Sequence, residues 1–456
     1  MTSIKGEINF IDTTVRDGNQ SLWDATGITT AMILSIAPVM DRVGFKAVDF
    51  ITGMHMAVSV RWHKENPWEK IRLACKAMPR TPLSFGGTGI RFMGWKRVPE
   101  SVMALALERI IASGIRRVWM LEPSFDVDLI FRQAKLAKAA GAEELVVALS
   151  YTISPVHTDE YYAQKAREIA ASPDVDGMYI KDQGGLLTVD RVRTLVPALQ
   201  QSINGLPLEL HSHCTTGLAP LVYLEGIQLG IRTVHTAISP LANGTSQPST
   251  ENILRNARRL GYSANLDEEA LEAMAAHFRY VAEREGRPMG APVEHDVYYY
   301  EHQVPGGMMT TLKRQLSEVK MEHRLEEVLE EVIQVRRELG YPIMVTPFSQ
   351  FVGSQATMNV VSGERYKTVP TQVIEYVAGY YGKSPAPIDQ NILDKISSLP
   401  QAKNILNTEH PEPSIEELRR KVGLGLSDEE FLIRLALPDK DVEDMLAAGP
   451  IKTQYP

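Results

Sequence analysis

The chain is predicted to fold as an α/β protein: a (β/α)8 TIM barrel with an appended, mostly α-helical C-terminal domain. Three observations carry this. Short β-branched or apolar runs alternate with longer stretches of helical periodicity through residues 1–262, the pattern of a parallel sheet with helices outside it. Eight such runs can be counted, the number that closes a barrel of about 250 residues. No Gly-x-Gly-x-x-Gly follows an early strand, which speaks against an open dinucleotide-binding sheet.

Taken in order, strands are expected at 8–11, 47–51, 81–85, 117–121, 144–151, 177–180, 206–210 and 233–237, with 81–85 the weakest. Helices are expected between them at 28–43, 102–113, 129–140, 160–171, 189–203 and 220–229. The character changes near residue 262. Residues 266–285 form a long helical pattern, acidic early and arginine-bearing late, as the helix dipole prefers. A Pro/Gly-rich link, 286–292, follows. One or two long helices are expected over 312–339, and others at 371–381, 388–397, 414–422, 427–437 and 439–447. The stretch 399–413, with its Pro and Asn, reads as a loop. The expected division is therefore 1–262 for the barrel and 263–456 for a helical domain closing its mouth.

Composition removes several classes. The 456 residues hold 48 Lys+Arg against 56 Asp+Glu, a net charge of −8, without a long basic run, so no nucleic-acid partner is expected. Two cysteines, Cys75 and Cys214, make neither a disulfide framework nor a four-cysteine zinc site, and suit a reducing cytoplasm. No targeting segment opens the chain, and no apolar stretch approaches the roughly 18 residues a membrane span needs. A cytoplasmic enzyme is the expectation.

In such barrels the active site lies at the C-terminal ends of the strands, so the polar residues there are the candidates. His211 and His213 lie two apart on a strand, which places both on one face and suits them to a metal such as Zn, Mn or Co. Alone, such a pair is more often a solvated strand face. Asp17 offers a hard ligand, against the simpler reading of Asp17-Gly18 as a turn. Arg16 can anchor an anion with its fork of donors, or form an ordinary salt bridge at the strand rim. Lys181 is out of place beside a cation unless neutral or carbamylated. Alone, it reads as the partner of Asp182. Thr245 sits in a loop of turn formers whose hydroxyls suit helix capping.

Together these stretches resemble the carboxyltransferase family of biotin-dependent enzymes, the unit shared by pyruvate carboxylase, the oxaloacetate decarboxylase alpha subunit and transcarboxylase. The pieces that carry the resemblance are 12–21 (DTTVRDGNQS), 154–162 (SPVHTDEYY), 180–187 (IKDQGGLL), 211–217 (HSHCTTG), 236–248 (TAISPLANGTSQP), 304–307 (VPGG), 345–349 (VTPFS) and 448–456 (AGPIKTQYP). The resemblance implies that Asp17, His211, His213 and a carbamylated Lys181 bind a divalent metal (Zn, Mn, Co or Mg). It implies that Arg16 and Gln20 face the substrate, and that Thr245 carries a proton between biotin and substrate. The family's biotin attachment motif, Met-Lys-Met, is absent. Biotin is therefore expected on a separate carrier protein, with a biotin carboxylase subunit as second partner, and a homodimer is expected. The alternative is a biotin-independent metal-dependent lyase or aldolase, or an oxaloacetate decarboxylase, of the same barrel superfamily.

The departures concern the acceptor. Where the family has Arg-Gly-Gln-Asn after strand three, with Arg holding a 2-oxo acid carboxylate, this chain reads Thr88-Gly89-Ile90-Arg91. Gly-Gly-Ala-Thr-Phe-Asp after strand two becomes residues 52–57, TGMHMA; Phe-Asp after strand four becomes Leu121-Glu122; and the strand-eight Asp becomes His235. These changes are expected to cluster at the barrel mouth. Replacing a bidentate Arg by Thr costs a carboxylate about 2–5 kcal/mol of binding. The acceptor, a small carboxylate, is thus expected to differ from pyruvate or to be held by Arg91.

Overall fold

The computed structural model describes residues 5–94, 97–318, 320–406 and 412–456. Among them, eight parallel strands close a barrel in chain order: β1 (Asn9–Asp12), β2 (Ala47–Thr52), β3 (Leu83–Thr88), β4 (Arg117–Leu121), β5 (Glu144–Ser150), β6 (Gly177–Asp182), β7 (Leu208–Ser212) and β8 (Thr233–Thr236). β1 pairs with β2 on one side and with β8 on the other, so no strand edge is left open. β3, β6 and β7 run past their apolar stretches and carry Thr88, Lys181 and Ser212 into the strand ends.

Alternation along each strand decides what fills the barrel. Trp119, Leu121, Val146, Ala148 and Tyr179 form a small interior cluster of their own. The large apolar core lies outside, between the strands and the helices. Several helix starts are held by side chains that accept backbone N–H groups: Asn66, Asp126, Thr158, Thr188 and Ser249. The stretch 28–43 is two helices, Thr30–Leu34 and Ala37–Val43, because Pro38 cannot continue the first and suits the start of the second.

Beyond the barrel, Glu268–Arg284 packs back on the barrel core. The stretch 312–339 is resolved into two helices, Gly306–Glu318 and Leu325–Glu338, which build a second apolar core with Phe348–Ser362 and Thr371–Val377. The segment 399–413, expected as a loop, holds the helix Pro400–Leu406; residues 407–411 lie outside the described residues. The final helices return to the barrel, where the Trp68 indole N–H donates to Glu429 O at 3.2 Å.

Candidate active site

The strand ends bring four of the expected residues together. Asp17 comes from a short π-helical turn, Thr14–Gly18, directly after β1. Its Oδ2 lies 3.3 Å from His211 Nε2, 3.7 Å from His213 Nε2 and 3.5 Å from Lys181 Nζ. Lys181 Nζ is also 3.4 Å from His211 Nε2. All four are buried. The ligating atoms of Asp17, His211 and His213 lie within 4.8 Å of one another.

The electrostatics suit a cation. Burial opposes charge on Asp17, yet Arg16 and Lys181 hold its carboxyl well below the usual carboxylate range. Burial, then the Lys181 ammonium, push His211 far below the usual imidazole range, which keeps a lone pair for a ligand bond. His213 Nδ1 donates to the Thr245 carbonyl at 2.6 Å, so Nε2 is the unprotonated nitrogen and faces Asp17. Gln247 agrees with this tautomer. Its Oε1 accepts from the Thr13 hydroxyl at 2.7 Å, and its amide N–H then faces His213 Nε2 at 3.0 Å. A carboxylate and two lone-pair imidazoles, converging on one point, fit a divalent metal.

Lys181 does not pair with Asp182. The Asp182 carboxylate accepts from the backbone N–H groups of Leu186 and Leu187 and from the Ser212 hydroxyl, and so shapes the loop after β6. Arg16 is engaged as well. Asp49 on β2 takes its Nε at 2.7 Å and also its Nη2, while Nη2 stands 3.0 Å from Asp17 Oδ2. The Trp119 indole N–H donates to the other Asp49 oxygen at 2.9 Å, and its ring lies 5.0 Å from the Arg16 guanidinium and 5.5 Å from Lys181 Nζ. Asp49, Trp119 and Gln247 were not singled out in the sequence. The available signal was strand alternation, which turns Asp49 and Trp119 inward.

Arg16, Asp17, Trp119, Lys181 and His213 line a cavity of about 420 Å³ together with Gln20, Thr88, Arg91, Thr245 and, from the helical region, Pro305 and Met308. Thr245 does not cap the next helix; Ser249 does. The Thr245 hydroxyl donates to Ser21 O at 2.7 Å, and the Ser21 hydroxyl donates to Asp17 Oδ1 at 3.3 Å. Gln20 is exposed at the rim. Arg91 is buried, with its guanidinium 4.9 Å over the Tyr381 ring. Glu122 flanks it across Gly89, where an added Cβ would meet Glu122 Oε2 at 2.5 Å and Arg91 Nη1 at 3.2 Å. Burial raises the Glu122 carboxyl, and Arg91 opposes the rise.

His235 corrects the expected cluster of changes at the mouth. It lies inside the barrel, 2.9 Å from Glu209 and stacked 5.0 Å from the Tyr179 ring. Its residue type answers to the charges there, not to an acceptor. The other three changed segments do reach the cavity, through His55, Thr88 and Leu121.

Residues 299–447 match the family described as a conserved carboxylase domain. The chain is 39% identical to the B subunit of pyruvate carboxylase from Methanocaldococcus jannaschii, over 85% of this chain and 68% of that protein. It is 31% identical to the 2-oxoglutarate carboxylase large subunit of Hydrogenobacter thermophilus, over 95% and 67% respectively. Among solved structures, the carboxyl transferase domain of Rhizobium etli pyruvate carboxylase superposes with a TM-score of 0.87 at 23% identity, covering 97% of this chain and 78% of that one.

Proposed function

Because the chain belongs to the carboxyltransferase family of biotin-dependent enzymes, we propose that it moves a carboxyl group between carboxybiotin and a small enolisable carbonyl acid. The single observation that carries this reading is the convergence of Asp17, Lys181, His211 and His213 beside the cavity that Thr245 lines. Asp17, His211 and His213 would hold a divalent cation, with Lys181 as fourth ligand in its carbamate form. A bound cation there supplies Lewis-acid polarisation of the acceptor carbonyl. Lys181 Nζ is placed for carbamylation: burial lowers its affinity for a proton, which favours the neutral amine that attacks carbon dioxide.

Thr245 is the proton carrier. The N–C bond of carboxybiotin breaks to release carbon dioxide, and the ureido nitrogen takes the Thr245 hydroxyl proton. The Thr245 oxygen takes a proton from the acceptor carbon, which then forms the new C–C bond to carbon dioxide. Arg16, fixed by Asp49, faces the acceptor. The walls from β2, β3 and β4 and the helical region keep water from the reacting groups. A biotin carrier protein and a biotin carboxylase are the partners in this reading. In support, the archaeal and Hydrogenobacter relatives are each one subunit of a carboxylase rather than a whole one.

Thr245→Ala should lose biotin-dependent carboxyl exchange by about a hundredfold or more while keeping its metal. Thr245→Ser should keep most activity, and Lys181→Ala should be purified with little metal. Added avidin should stop the wild-type reaction. Full activity in avidin would instead identify a biotin-independent lyase.

A further inference from the structure

Gly306 opens the helix Gly306–Glu318, in the same 304–307 segment whose role neither the fold nor the proposed chemistry explains. Its backbone lies against Thr245. A Cβ placed on Gly306 would sit 2.3 Å from Thr245 Cγ2 and 2.7 Å from Thr245 Cβ, well inside contact distance. The neighbouring Pro305 and Met308 line the same cavity as Thr245. Thr245 is thus held between two surfaces: its hydroxyl is tied to Ser21 O at 2.7 Å, and its methyl rests on the glycine.

We propose that Gly306 is a positioning residue for Thr245: the missing side chain lets the helical region close on the Thr245 methyl and fix the hydroxyl at the cavity. A side chain at 306 has two ways to fit. Thr245 rotates about its Cα–Cβ bond, which takes the hydroxyl off Ser21 O. Otherwise the helix start backs away and carries Pro305 and Met308 out of the cavity wall. Each outcome unseats the proton carrier. Conformational freedom is not what selects glycine here. Gly306 is absent from the positive-φ residues, and alanine is the better helix former.

The inference rests on the reading of Thr245 as proton carrier, and its test separates the two. Gly306→Ala is compared with wild type, Thr245→Ser and the double variant. Two readouts are taken. The first is free-biotin-dependent carboxyl exchange with pyruvate, 2-oxobutyrate and 2-oxoglutarate. The second is the methyl resonance of Thr245 in threonine-methyl-labelled protein, assigned by its disappearance in Thr245→Ser. Gly306→Ala should lower kcat at least tenfold with little change in KM, shift the Thr245 methyl resonance and leave the protein folded with a modestly lowered Tm. Thr245→Ser, which removes the methyl that the new Cβ meets, should restore part of the loss in the double variant. An unmoved methyl resonance overturns the proposal, and so does equal kcat loss in the Gly306→Ala single and double variants. A Gly306→Ala protein that unfolds and is not rescued by Thr245→Ser overturns it likewise. If Thr245→Ala keeps full exchange while the methyl resonance still shifts, the contact stands and the proton-carrier role falls.

Discussion

At the scale of single residues, the acceptor wall is the informative part of the site. Thr88 offers a hydroxyl where the family resemblance implies a guanidinium, and Arg91 stands three residues on, buried against Tyr381 and facing Glu122. Part of the field of an arginine so placed already acts on Glu122, so it holds a carboxylate less strongly than a free one. Thr88→Arg should therefore raise kcat/KM for pyruvate at least tenfold, the equivalent of about 1.4 kcal/mol. Comparing the two proteins with pyruvate as acceptor checks this; an efficient wild-type reaction with pyruvate, unimproved in the variant, would sink the altered-acceptor idea. That Asp17, Lys181, His211 and His213 would come together was legible from the motif resemblance and from their places at strand ends, not from any one of them alone. Asp49 and Trp119 were not, because a carboxylate and an indole inside strands look like ordinary strand residues. Their roles depend on which way the strand faces. In β2 that direction is reset by a register shift between Asp49 and Ile51.

At the scale of elements, β3 and β4 must be read together. Gly86 on β3 leaves room for the β4 indole: an added Cβ would meet Trp119 Cζ2 at 2.1 Å. Gly86→Ala should therefore displace the indole, withdraw its bond from Asp49 and loosen Arg16, with a stability cost of about 1–3 kcal/mol from overpacking. Altered tryptophan fluorescence together with a raised acceptor KM is expected. Unchanged fluorescence would show that the strand shifts instead. All eight strands were foreseen, because apolar runs of this length mark themselves against polar helix faces. Three helices of ten or more residues escaped: Pro67–Ala77, Thr250–Arg259 and Phe348–Ser362. The last buries Ser349, Gly353, Gln355 and Asn359 beside its aromatic residues, so no polar stripe alternates with an apolar one. There the Gln355 amide N–H donates to Asn359 Oδ1 and to the Thr368 carbonyl, the Asn359 amide donates to Glu331, and Gln355 Oε1 has no partner among the described residues.

At the scale of the molecule, the Asp17, His211 and His213 cluster stands next to an ionic layer that is buried at Arg117, Glu209 and His235 and half-buried at Lys46 and Glu144. Glu209 on β7 accepts from Arg117 at 2.6 Å, Lys46 at 2.8 Å and His235 at 2.9 Å, while Glu144 pairs with Arg117 at 2.7 Å and Lys46 at 2.9 Å. Residues from β4, β5, β7 and β8, with Lys46 just before β2, thus meet in one network, whose His235 ring lies 5.3 Å from that of His211. Burial alone would raise the Glu209 carboxyl, but Arg117, His235 and Lys46 hold it far below the usual range. The folded-state value therefore lies below the unfolded one of about 4.3. Its stabilising contribution is complete above that pH and declines as pH falls toward the folded-state value. Glu209→Gln leaves buried cations under-compensated, and should cost about 3–5 kcal/mol near neutral pH. Because the variant has no carboxyl to protonate there, the gap to wild type should narrow steadily below about pH 4. Urea unfolding of both proteins across the acid range measures the gap directly, and a gap that stays constant with pH would mean that Glu209 contributes by packing and not by charge.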